Sequence, residues 1–157
     1  MSESQKSATG GTHTATRWWA PLVAPPSPAS NVLCLVGGAL LVVSSVIHLH
    51  LWSTGYRHIP TIGPLFLMQG IVGIALALLV GITRRAWAAL GGALFAASTI
   101  GGLLLSVEVG LFGFKDSLSA PDATLSLVVE SAALVVLASA VLLGSHRPHA
   151  VAAQVPA

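Results

Sequence analysis

The chain has 157 residues, of which 54% are hydrophobic and 8% charged, with a formal net charge of +2. A soluble domain carries about 25% charged residues, so this composition excludes an ordinary water-soluble fold and makes the bilayer the natural solvent. The length allows one domain at most. The few basic groups form no stripe of the kind that nucleic-acid binding needs, and the single cysteine, Cys34, excludes an internal disulfide or a cysteine-based zinc knuckle.

Residues 1–30 are polar and then proline-rich, through Ala24-Pro25-Pro26-Ser27-Pro28, and read as a disordered tail. Trp18 and Trp19 beside Arg17 suit the headgroup level, where amphipathic rings are favoured. The first apolar span runs over about 31–52, roughly 33 Å as a helix. The second covers 61–83, opened by Pro60 and Pro64, since a first helical turn tolerates missing amide protons. The third, 86–114, is the longest and can tilt. The fourth, 123–144, follows a Pro121-Asp122 start signal. Residues 145–157 close the chain as a second disordered tail.

Short loops between the spans predict an all-α membrane protein, a four-transmembrane-helix bundle of up-down-up-down order. Small residues that let helices approach in lipid stand at Gly73, Ala77 and Gly81, and at Gly91, Gly92, Gly101 and Gly102. Arg84 and Arg85 fill the second connection, and Lys6, Arg17 and Arg147 lie in the tails. The other loops hold Arg57 and Lys115. The positive-inside rule therefore places both termini in the cytoplasm and loops 53–60 and 115–122 outside.

Three ionisable residues interrupt these spans: His48, Glu108 and Glu130. A charge in a bilayer core costs about 2.5–3.5 kcal/mol on insertion scales, so each one requires a reason. Helical spacing places Gly37, Ser44 and His48 on one face, Gln69 on the ridge of Gly73, Ala77 and Gly81, and Ser126 beside Glu130. His48, Gln69, Glu108 and Glu130 thus form a candidate polar layer near the outer surface. Around it lies a candidate rim of His50, Tyr56, Arg57 and His58. His50 follows His48 by two positions, so the two imidazoles cannot share a metal unless the helix unwinds.

Imidazole and two carboxylates suit a divalent metal ion, and intramembrane carboxylates also serve proton relays. The plainer alternative is a structural network, with one glutamate protonated, the other paired with Arg57 or Lys115, and His48 bonded to Ser44 or Gln69. Haem is disfavoured, because His48 is the only histidine well inside a span. A quinone or lipid headgroup would find a rim in Tyr56, Arg57 and His58. No Ser-His-Asp set, Walker loop, dinucleotide glycine fingerprint or HExxH pattern occurs.

With His48-Leu49-His50-Leu51-Trp52 and Gly55-Tyr56-Arg57-His58-Ile59-Pro60-Thr61-Ile62-Gly63-Pro64 in view, the chain resembles small four-helix membrane proteins of actinobacteria. In size and layout over 31–144 it is also similar to the DoxX-like group, with no motif matched residue by residue. The resemblance implies a small protein of a bacterial cytoplasmic membrane, accessory to a redox or envelope system. The expectation is a non-enzymatic accessory or binding subunit, working with a membrane-protein partner or as a homo-oligomer. The alternatives are a metal-ion or proton carrier using His48, Glu108 and Glu130, and a haem- or quinone-binding redox protein.

Overall fold

Inside hydrocarbon every backbone N–H and C=O must find a partner within its own segment, so long apolar runs form helices. The computed structural model describes residues 20–23, 25–120 and 122–145. In chain order these form α1 (Ala20–Val23), α2 (Pro28–Thr54), a 3₁₀ turn at Tyr56–His58, α3 (Ile62–Thr83), α4 (Ala86–Glu108) and α5 (Ala123–Ser145). The four long helices are each long and apolar enough to cross a membrane. The expectations for Trp18, Trp19 and the tail beyond Ser145 lie outside the described residues.

Helix α2 begins at Pro28, before the expected residue 31. Ser27 takes an extended backbone and its Oγ accepts the Ser30 N–H at 3.1 Å, which caps the first turn. Pro28 sits in that turn, where a missing N–H costs nothing. The end of the proline-rich segment is therefore part of the fold, and α1 packs beside α4 and α5. Arg85 donates a hydrogen bond to the Val23 carbonyl.

The third span is shorter than expected. Helix α4 stops at Glu108, with Gly110 in the left-handed region at φ 84° and its N–H bonded to the Leu105 carbonyl at 3.1 Å. A glycine in this position ends helices because it adopts positive φ without steric cost. A tight turn follows, in which Leu111 and Phe114 exchange backbone hydrogen bonds at 2.7 and 2.9 Å. Its central residues, Phe112 and Gly113, both have positive φ (52° and 81°), as a mirror-image hairpin turn requires. Residues 109–114 are apolar, and that continuity of hydrophobicity hid the stop.

Large apolar side chains such as Val32, Val46, Ile71, Ile82, Leu94 and Val135 are exposed, while the interior is built from small residues. In water such a surface would aggregate; in a bilayer it faces lipid tails. Helix α2 packs on α3 and α5, α4 packs on α5, and α3 and α4 touch least among neighbouring pairs. Leu41, Val80 and Leu137 meet in one fully buried layer. Gly92 completes it, because a Cβ there would lie 2.9 Å from Leu137 and 3.0 Å from Leu41. By contrast, Gly81, Gly101 and Gly102 look onto open space, so the expected small-residue ridges are only partly used for packing.

Gly63 seats the 3₁₀ turn on α3, since a Cβ there would come within 2.7 and 2.8 Å of the Arg57 and Tyr56 carbonyl oxygens. Gly63→Ala is predicted to lower stability by about 1–3 kcal/mol through overpacking. Gly101→Ala, facing open space, should be neutral or stabilising by up to about 1 kcal/mol from helix propensity. Thermal unfolding in detergent compares the two, and equal midpoints would refute the seating of the turn.

Candidate functional site

Apart from Ser30 at the start of α2, the buried polar residues Ser44, Ser45, His48, Ser106, Ser126 and Glu130 lie toward the end of the bundle where α2 and α4 finish and α5 begins. Glu130, 2% exposed, is the most deeply buried charged residue among those described. Its Oε1 accepts two hydroxyl hydrogen bonds, from Ser44 on α2 and Ser126 one turn earlier on α5, both at 3.1 Å. His48 Nε2 lies 3.7 Å from the same oxygen, within ion-pair reach and too long for a hydrogen bond. The opposite ring nitrogen, Nδ1, is 2.8 Å from the Ser44 carbonyl oxygen. A carbonyl can only accept, so Nδ1 carries a proton and Nε2 faces the carboxyl group. A bare Nε2 lone pair facing a carboxylate would be repulsive. A proton on either partner, as imidazolium with carboxylate or imidazole with carboxylic acid, would relieve that repulsion.

His48 and Glu130 form one wall of a cavity of about 370 Å³. Most of its lining is apolar or aromatic, including Leu51, Phe66, Val72, Phe95, Leu103 and Phe114. Phe66 stands between His48 (ring centroids 5.3 Å apart) and Tyr56, on which it stacks at 4.6 Å; Tyr56 meets Phe114 edge-on at 5.8 Å. The hairpin after α4 thereby brings Phe114 and Asp116 over the end of the cavity. Between α3 and α4 the lining residues Met68, Val72 and Ser98 are exposed, so the cavity has a side opening within the membrane-spanning segments.

Two polar groups in the lining have no hydrogen-bond partner among the described residues. Ser106 is 6% exposed and its Oγ is buried without a hydrogen bond. Gln69, half-buried on α3, makes no side-chain hydrogen bond. Tyr56, outside the helical spans, has its phenol pushed above the ordinary range by burial first and by the negative charge of Asp116 second.

Of the residues singled out by sequence, His48, Gln69, Tyr56 and Glu130 line the cavity. His50, Arg57, His58 and Glu108 do not line it, and all four are exposed. Arg57 Nε donates to His58 Nε2 at 2.9 Å, so the two rim residues pair with each other. Glu108 is the last residue of α4, and the trio His48–Glu108–Glu130 does not assemble. Among the described residues no three His, Cys, Asp or Glu side chains converge on a metal position. The sequence offers Asp116 only as part of the polar outward loop with Lys115 and Asp122, and gives no sign of Ser106. Ser106 is one small residue within an apolar run, and Asp116 reaches the cavity only through the unforeseen hairpin.

No family model matches this chain, and no curated protein or solved structure matches it either. The site must therefore be read from its own geometry.

Ser44→Ala, which removes an interhelical hydrogen bond, and Ser126→Ala, which removes one within α5, are each expected to destabilise the protein by about 1 kcal/mol. In a Glu130→Leu background both losses should vanish, because the acceptor is gone. Unfolding of the single and double variants reads the coupling, and equal losses in both backgrounds would rule it out. Tyr56 is the sole tyrosine, so ultraviolet absorbance can follow its ionisation alone. It should titrate above the usual value of about 10 and move partway back in Asp116→Asn.

Proposed function

We propose that this chain is a multi-pass protein of a bacterial cytoplasmic membrane whose cavity binds a small amphiphilic molecule. It acts as a non-enzymatic accessory or binding subunit of a larger membrane assembly. The helices run up-down-up-down, with both termini and the Arg84-Arg85 link in the cytoplasm and the cavity toward the outer face. One observation carries the reading: the partnerless Ser106 hydroxyl and Gln69 amide face a largely apolar cavity beside His48 and Glu130. Ligand sites typically combine apolar walls with a few convergent polar groups, and the cavity's volume lies within their usual range of about 300–1,000 Å³. The accessory role rests on the short loops, which leave no room for a separate domain.

Native mass spectrometry of the protein, extracted from its own membranes in mild detergent, tests the proposal. The expected result is a protein partner in fixed ratio and a small molecule retained by this chain. Ser106→Ala with Gln69→Leu should lose the small molecule and keep the partner. A species with neither partner nor ligand would overturn the proposal.

A further inference from the structure

We infer that the cavity selects an amphiphile with a cationic nitrogen head, entering from the bilayer between α3 and α4. This rests on the binding role proposed above and specifies its ligand class.

Charge balance is the first argument. Among the described residues the ionisable groups lining the cavity are His48, Tyr56, Asp116 and Glu130, and no lysine or arginine joins them. Arg57 and Lys115 are exposed outside the lining. His48 approaches Glu130, while Asp116 has no cationic partner among the described residues and its Oδ1 accepts the Ser117 N–H at 2.8 Å. With both carboxylates ionised, a single imidazolium leaves the cavity net negative. An anionic head would meet uncompensated repulsion at low dielectric, and a cation would relieve it.

The uncharged groups agree. An ammonium has three donors and no acceptor. Here it would find Ser106 Oγ, the Gln69 amide oxygen and a carboxylate, and the first two have no other partner. Aromatic rings are also part of the lining, Phe95 and Phe114 among them, and such rings attract cations once water is excluded. Exposed Met68 and Val72 flank the opening on α3, and Gly102 on the α4 side has open space at its Cβ position. An apolar body can pass there without leaving lipid.

Three probes share one body and differ in the head: 4-phenylbutylamine, 4-phenylbutanol and 4-phenylbutyrate. Each is titrated calorimetrically into the full chain in nanodiscs, with empty nanodiscs subtracted for partitioning. The amine should bind about tenfold tighter than the alcohol, the equivalent of one desolvated cation–ring or ion contact. The carboxylate should bind weakest. Asp116→Asn, at the cavity end and outside the helices, should reduce the preference for the amine severalfold while sparing the alcohol, and Glu130→Gln should do the same if it folds. Alcohol or carboxylate binding as well as the amine would overturn the cation head and leave the cavity as a binding site. An amine preference unchanged by Asp116→Asn and Glu130→Gln would also overturn it. Failure of all three probes to bind would remove the binding role as well.

Discussion

The arrangement depends on keeping a carboxyl group buried at Glu130. An isolated carboxylate at low dielectric is very costly, and proteins bury one only with hydrogen bonds or a partner. Here the partners come from two helices, Ser126 on α5 and Ser44 with His48 on α2. The network therefore dictates how α2 and α5 are rotated against each other. The same face of α2 supplies Ser30, whose hydroxyl reaches the Ala140 carbonyl at 3.2 Å, and Gly37, which makes room for Leu137. Ser30, Gly37 and Ser44 recur at helical spacing and form a spine. Lipid gives helices no hydrophobic reason to associate, so close packing and these polar links hold the pair together.

The other two helices hang on this spine unequally. Helix α3 leans on α2 through Gly70 and Gly73, which make way for Leu49 and Ser45. Helix α4 leans on α5, where Ala86 packs near Gly144 and Gly92 sits under Leu137. Arg84 and Arg85 alone join α3 to α4, which holds those ends together. At the opposite ends nothing comparable pins them. The layer of Leu41, Val80, Gly92 and Leu137 is tightly filled, whereas beyond it Phe95, Val72 and Leu103 line empty space. The cavity is a consequence of two helices secured to different partners and tied at one end.

How much of this was legible follows from the nature of each signal. Four spans were readable because hydrophobicity sustained over such lengths fits little besides a membrane-spanning helix. Glu130 and His48 were readable because charge in an apolar run is conspicuous, and helical spacing already put Ser44 and Ser126 on their faces. Glu108 misled by the same rule. Its depth was judged from the apolar residues that follow it, and hydropathy does not distinguish a helix from the hairpin at Leu111–Phe114. The deciding feature was backbone conformation at Gly110 and Gly113, which composition conveys only as permission to turn. The cavity itself could not be read from periodicity, because it arises from unequal contact between α3 and α4.

An opening of this kind cannot stay indifferent to what fills it. A lipid tail would satisfy the apolar walls and leave the Ser106 hydroxyl and Gln69 amide unpaired, at a cost of about 1–3 kcal/mol for each group fully desolvated. Water would satisfy those two groups but leave the apolar walls of Phe66, Phe95, Leu103 and Val72 facing it. The occupant that resolves both demands has an apolar body and a polar head, oriented with the head toward Glu130 and the body toward the gap between α3 and α4. In the proposed binding role, Ser106 Oγ, buried without a partner among the described residues, and the Gln69 amide orient the head of the bound molecule.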